Sequence, residues 1–159
     1  MKYESGKLAS IAGAANEHIV LGMLLTRYPD TMLSSQQQSS HDLIINFKKS
    51  FIRAQIKTSQ KSISFTGGNR AGQDRTYKKG KNNPKTYTYS SLDTDVVIGI
   101  SPLDVGRYDL YFVPSLVIEK INQKSLSINK VSFTKNNFLY LENCKDEEFV
   151  YEYIKKLSE

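Results

Sequence analysis

Three side chains in the stretch from Ser39 to Gln60, SSHDLIINFKKSFIRAQIKTSQ, could act on one substrate atom: Asp42, Gln55 and Lys57. Asp42 heads one apolar run, Lys48 to Ser50 make a short basic turn, and a second run carries Gln55 and Lys57. If both runs are strands of one hairpin, the three side chains can converge on one point. A carboxylate and an amide oxygen are the hard donors that magnesium prefers, and the backbone carbonyl of Ile56 lies between the two polar positions. A lysine beside such a cation could hold a water or offset charge growing on a phosphate. On spacing alone these residues are first a polar strand-starter and the wet face of an edge strand.

The elements that must position them follow from the hydrophobic pattern. Residues 5–28 read as a helix, because Leu8, Ile11, Ala12, Ala15, Ile19 and Met23 recur at three- and four-residue steps and Pro29 follows. Glu17 falls near the edge of that apolar face. Thr31 to Leu33 is a short strand and 34–40 a loop. Asp42 to Phe47 and Phe51 to Thr58 are strands; in the second, Arg53, Gln55 and Lys57 share one face, while Ile52, Ala54 and Ile56 face the core. Ile63 to Phe65 continues that strand. Ser91 to Ile100 and Arg107 to Val113 are further strands, the latter ended by Pro114. Asp93 and Asp95, before the apolar part of the former, are alternative metal carboxylates but first of all turn and edge residues. A short helix is expected over Ser115 to Gln123, with weak strand signals over Leu126 to Phe133 and Phe138 to Leu141. A closing helix from Lys145 to Leu157 has Asn143 as its cap and Phe149, Val150, Tyr153, Ile154 and Leu157 as its core stripe. The expected architecture is one α/β domain over 1–159, a central sheet of four to five strands flanked by helices.

Composition bounds the partners. A chain of 159 residues with 39% apolar and 24% charged residues can bury an ordinary core. No run approaches the length of a membrane span and the N-terminus lacks a signal-peptide pattern, so no membrane partner is expected. The lone Cys144 excludes an internal disulfide and any multi-cysteine zinc site, with the cytoplasm as the default compartment. The net charge is +6, and most of it comes from residues 66–90, where six basic residues face a single acid. Such an insertion suits a β-ribbon or loop laid on DNA. Arg70, Gln73 and Arg75 at its far end are of the types that read bases, and Lys78, Lys79, Lys81 and Lys85 of the type that positions phosphates. Arg53, on the face of Gln55 and Lys57, joins them as a DNA contact. A solvated loop rich in glycine, asparagine and charge would show the same composition.

The order of Glu17 on a helix, Asp42 opening an apolar strand, and Gln55-Ile56-Lys57 in the next strand resembles the PD-(D/E)XK nuclease superfamily. The pattern covers about the first 60 residues directly. The resemblance implies a restriction-endonuclease-like core with a mixed sheet. It also implies a catalytic set of Glu17, Asp42, Gln55 and Lys57, and metal ligation by Asp42, Gln55, Ile56 and Glu17. Two positions depart from the family: His41 stands where proline is usual, and Gln55 where a carboxylate is usual, which removes one negative charge from the metal site. The D…QxK form resembles the intron-encoded homing endonucleases of cyanobacteria that use this fold.

Together these residues imply a magnesium-dependent endonuclease for double-stranded DNA, manganese being able to substitute. Cutting two strands with one site per chain calls for at least a dimer, and the resemblance implies a tetramer. A restriction endonuclease and a Holliday-junction resolvase are the rivals within nucleases. The rival of another class is a DNA-binding module without catalysis, with Gln55 as the lost ligand.

Overall fold

The computed structural model describes residues 2–34, 39–68 and 86–159. Its centre is the expected hairpin, β2 (Leu43–Phe47) against β3 (Ser50–Thr58), with Phe47 opposite Ser50. The two-residue loop puts both Lys48 and Lys49 at positive φ, 49° and 65°. That pair of left-handed residues matches the twist of the flanking strands, though two lysines adopt it less readily than Asn-Gly would. The Lys48 ammonium rests 5.0 Å from the centre of the Phe47 ring.

Around this hairpin stand β1 (Met32–Leu33), β7 (Val96–Asp104) and β8 (Arg107–Pro114), giving a five-stranded sheet in the order β1-β2-β3-β7-β8. Only β3 and β7 run parallel. The sheet is therefore mixed, and the fold is α/β as expected. Val96 to Ile100 and Leu110 to Val113 are buried without alternation, because the middle of the sheet is covered on both faces. The helices that flank the sheet are α1 (Lys2–Leu25), α2 (Ser115–Ile121), α3 (Leu139–Glu142) and α4 (Glu147–Leu157). Tyr153 of α4 is buried and its hydroxyl donates to the Phe112 carbonyl at 3.1 Å, fixing that helix to β8.

Several sequence expectations need correction. Ser91 to Asp93 form a turn, not the start of a strand, because the Asp93 carboxylate accepts from the Ser90 N–H and hydroxyl at 3.0 and 2.9 Å. Ser62–Ser64 (β4) leaves the main sheet and pairs with Ser125–Ser127 (β9). Thr66–Gly68 (β5) and Thr86–Thr88 (β6) form the antiparallel base of the basic insertion. Phe138 to Leu141 is mostly the helical turn α3, and the signal over Leu126 to Phe133 shrinks to β9 and a 3₁₀ turn, Ser132–Thr134. The cap of α4 is Asp146, whose carboxylate accepts the Phe149 N–H at 2.8 Å; Asn143 instead ends α3.

Helix α1 departs most. Its buried side is Asn16, Val20 and Leu24, not the apolar face read from the sequence, and Leu8 and Ile11 are 65% and 56% exposed. The segment Lys7–Leu25 is also long and apolar enough, by length and composition, to cross a membrane, contrary to the sequence expectation.

Candidate active site

Strand β3 outruns its neighbour. The first residue of β2, Leu43, lies opposite Ala54, and the Asp42 N–H still donates to the Ala54 carbonyl at 2.8 Å. Beyond that point Gln55 to Thr58 continue beside β7 alone, with Gln55 level with Val97 and Lys57 level with Gly99. Asp42 thus sits in the fork where β2 parts from β3. Its Oδ2 accepts the Ile56 N–H at 2.7 Å and the Gln55 Nε2 at 2.5 Å, and the same Gln55 nitrogen lies 3.3 Å from the Ile56 carbonyl oxygen.

This fork is where Asp42, Gln55 and Ile56 meet. The buried amide nitrogen of Gln55 stands between two oxygens, Asp42 Oδ2 and Ile56 O, as a donor satisfying both. A cation would satisfy the same two oxygens, and turning the amide over would add Gln55 Oε1 as a third. Three oxygens of this hardness, one of them charged, fit magnesium with waters completing its shell. Among the described residues no three His, Cys, Asp or Glu side chains gather into a metal-binding group, in keeping with the amide at position 55.

Lys57 projects from the same strand toward the base of the insertion. Its ammonium donates to the Thr66 carbonyl at 3.2 Å and lies 5.0 Å from the centre of the Tyr89 ring. Tyr89 is buried and meets Tyr87 edge-on at 5.7 Å. Gly67, opposite Tyr87 in the β5–β6 pair, has to lack a side chain, because a Cβ would come within 2.8 to 2.9 Å of both tyrosine rings. The root of the basic insertion is thereby packed against the lysine of the site.

Glu17 is placed by its neighbour. Asn16 is buried and its amide donates to Thr58 Oγ1 at 2.6 Å, stapling α1 to β3 one residue beyond Lys57. Glu17 follows, half-buried. The staple thus sets where the helix lies on the sheet, next to the strand that carries Lys57.

Arg53 is employed within the chain. Its guanidinium pairs with Asp95 through Nε at 3.2 Å and Nη2 at 2.9 Å, and donates to the Leu92 and Ser91 carbonyls at 2.8 and 2.6 Å. Lys145 reaches the same carboxylate at 3.4 Å. Burial pushes the Asp95 carboxyl upward, but hydrogen bonds from the Arg53 side chain and N–H, with the charges of Lys145 and Arg53, outweigh it and hold the group below the usual carboxylate range. Nothing local in the sequence marks this pair, whose members are 42 positions apart. Asn16 and Tyr89 likewise carry no motif signal. Asp93 holds the turn after Ser90, and Asp95 holds the ion pair with Arg53. Arg70, Gln73, Arg75, Lys78, Lys79, Lys81 and Lys85 lie outside the described residues.

A strand pair forking around an aspartate can be set beside known structures. The chain superposes on a bacterial homing endonuclease, I-Ssp6803I, with a TM-score of 0.50. The two share a fold. The superposition covers 74% of this chain and 76% of that one at 15% sequence identity. No protein-family model matches the chain, and no curated protein matches it. This fold places the sheet, with the β2–β3 fork in it, between its flanking helices.

Proposed function

We propose that the chain is a magnesium-dependent double-strand DNA endonuclease of the PD-(D/E)XK kind, acting in intron homing. The observation that carries this is the fork itself: Asp42 Oδ2 and Ile56 O share one donor point, 2.5 and 3.3 Å away, directly before Lys57 in the strand. The shared fold with a homing endonuclease supports the same reading. Asp42, Ile56 and Gln55 would hold the metal, with Glu17 as a further carboxylate. The metal, when bound, supplies an acidified water and charge neutralisation at the phosphate. Lys57 holds that water by hydrogen bonding and adds positive charge where the phosphate oxygens gather it. The basic insertion rooted at β5 and β6 holds the duplex, and two chains at least are needed to cut both strands.

A DNA-binding module without catalysis is the second reading, favoured by the Gln55 amide occupying the metal position. Incubation with a randomised duplex library and magnesium separates the two. Cleavage by the wild-type chain, lost in Lys57→Ala with duplex binding retained, is the expected result. A wild-type chain that binds duplex but cuts no member of the library leaves only the binding module.

A further inference from the structure

Strands β4 and β9 pair antiparallel, with Ser62 opposite Ser127, Ile63 opposite Leu126 and Ser64 opposite Ser125. Ile63 and Leu126 are buried, so strand alternation turns the four serines outward, and all four are exposed. An outward strand face is ordinarily served by threonine or another β-branched residue. Serine in all four places leaves a flat patch of hydroxyls, about 7 Å along the strands and about 5 Å across them. Lysines stand at both ends. The Lys61 carbonyl accepts the Ile128 N–H at 3.0 Å at one end, and the Lys124 carbonyl accepts the Phe65 N–H at 2.8 Å at the other. Lys130 follows in the turn that leaves β9, where its N–H donates to the Ser127 carbonyl at 3.1 Å. Lys61, Lys124 and Lys130 are exposed, and none has an ion-pair partner among the described residues. Lys135, Lys145 and Lys155, by contrast, each pair with a carboxylate. No acid occurs from Lys57 to Thr66. Glu119, the one acid over 119–130, is engaged elsewhere, accepting the Ser91 N–H and hydroxyl at 2.6 and 2.8 Å. The patch adjoins the fork: Ser64 Oγ lies 3.0 Å from Thr66 Oγ1, and the Thr66 carbonyl accepts the Lys57 ammonium at 3.2 Å.

We propose that this serine face, with Lys61, Lys124 and Lys130 around it, binds the phosphodiester backbone of duplex DNA beside the cleavage site. The assignment rests on the nuclease reading above and adds to it a second duplex contact, separate from the basic insertion. Hydroxyls and lysines are groups that position phosphates, and no arginine occurs over 57–66 or 119–130 to read base edges. A face without bulk lets a sugar–phosphate chain come close to the strands, and lysines at both ends neutralise the phosphates that pass them. Lysines beside a short exposed strand pair also guard its edges against pairing with another chain. That role alone would leave duplex affinity and its salt dependence unchanged when the lysines are neutralised.

Fluorescence anisotropy of a labelled duplex of mixed sequence, without divalent metal and from about 50 to 300 mM salt, tests the site in the full chain. Lys61→Gln, Lys124→Gln and Lys130→Gln together should flatten the slope of log affinity against log salt by about 2 to 3, alike for all sequences. Circular dichroism should be unchanged, since the three side chains are exposed. Ser62→Val with Ser125→Val keeps the charge and suits a strand, and should weaken binding about three- to tenfold by holding the backbone off. Lys48→Gln, Lys49→Gln and Lys155→Gln, the same change of charge placed on the β2–β3 turn and on α4, should keep the wild-type slope. A wild-type slope in the patch triple variant would overturn the proposal, as would an equal loss in both triples or wild-type affinity in the valine pair. Each of these leaves the nuclease reading standing, because the wild-type chain still binds duplex. A wild-type chain that binds no duplex at any of these salts overturns both.

Discussion

The Gln55 amide nitrogen donates to Asp42 Oδ2 at 2.5 Å, so the residue that stands where an acidic metal site has a carboxylate also occupies the point that the proposed metal would take. Replacing that donor with a second carboxylate reverses both effects. In Gln55→Glu two carboxylates share the fork, and without metal their repulsion should cost about 1 to 3 kcal/mol at neutral pH. Repulsion raises the folded-state pKa of the pair above its unfolded value. The deficit should therefore shrink as pH falls toward about 4, where one proton is shared. Magnesium should restore stability and bind about tenfold more tightly than to the wild type, read by calorimetric titration. Unchanged magnesium affinity would remove position 55 from the metal site.

Lys57 is held at the root of the basic insertion, by the Thr66 carbonyl of β5 and by the ring of Tyr89, the residue after β6. A cation over an aromatic face is stabilised by about 0.5 to 2 kcal/mol. Tyr89→Leu should accordingly lower kcat for duplex cleavage by about three- to tenfold with KM little changed, because the lysine loses its direction and not the duplex. Tyr89→Phe keeps the ring and should keep the rate. Equal losses in the two variants would assign the effect to the hydroxyl.

The Arg53–Asp95–Lys145 cluster predicts an acid limb in stability. Asp95 has a folded-state pKa below its unfolded value, so its contribution is present above about pH 4 and is lost as pH falls through the folded value. Asp95→Asn leaves the Arg53 charge without its partner and should cost about 2 to 4 kcal/mol at pH 7. The difference from wild type should narrow below pH 4. Parallel melting curves down to pH 2 would contradict the pairing.

What could be read from the sequence divides by range. The β2–β3 hairpin, the β8 strand and the α4 stripe rest on local periodicity, and the structure places them within a few residues of expectation. Asp42, Gln55 and Ile56 meet because a hairpin register follows from its turn. Helix α1 misled because periodicity reports that a face is apolar, not which apolar face the chain itself covers. Asn16, a polar residue, lies in the core only because Thr58 is there to accept its bond. The Arg53–Asp95 pair and the β4–β9 pairing join distant segments, and no local pattern encodes such partners.

Gly99 faces Lys57 across the β3–β7 pair and leaves room for Ile63 of β4. A Cβ there would come within 2.8 Å of the Ile63 side chain and 3.0 Å of Ser59 Oγ. Gly99→Ala should destabilise by about 1 to 3 kcal/mol. Ile63→Ala alone should cost about 2 to 5 kcal/mol, since Ile63 is fully buried. The double variant should be less destabilised than the sum of the two, because the second change vacates the space that the first fills. Additive losses in urea unfolding would show that the strand shifts elsewhere to relieve the clash.

The insertion between β5 and β6 carries the last prediction. Each lysine that neutralises a phosphate of B-form DNA releases counterions and adds about 0.9 to the slope of log affinity against log salt. Neutralising Lys78, Lys79 and Lys81 together as glutamines should therefore flatten that slope by about 2 to 3, with affinity falling alike for all sequences. Arg70→Ala or Arg75→Ala should act differently, relaxing preference among targets by about 1 to 3 kcal/mol at single base pairs if these arginines reach base edges. Binding measured by fluorescence anisotropy from 50 to 300 mM salt tells the two classes apart. A triple variant with the wild-type slope would mean that the duplex lies elsewhere on the chain.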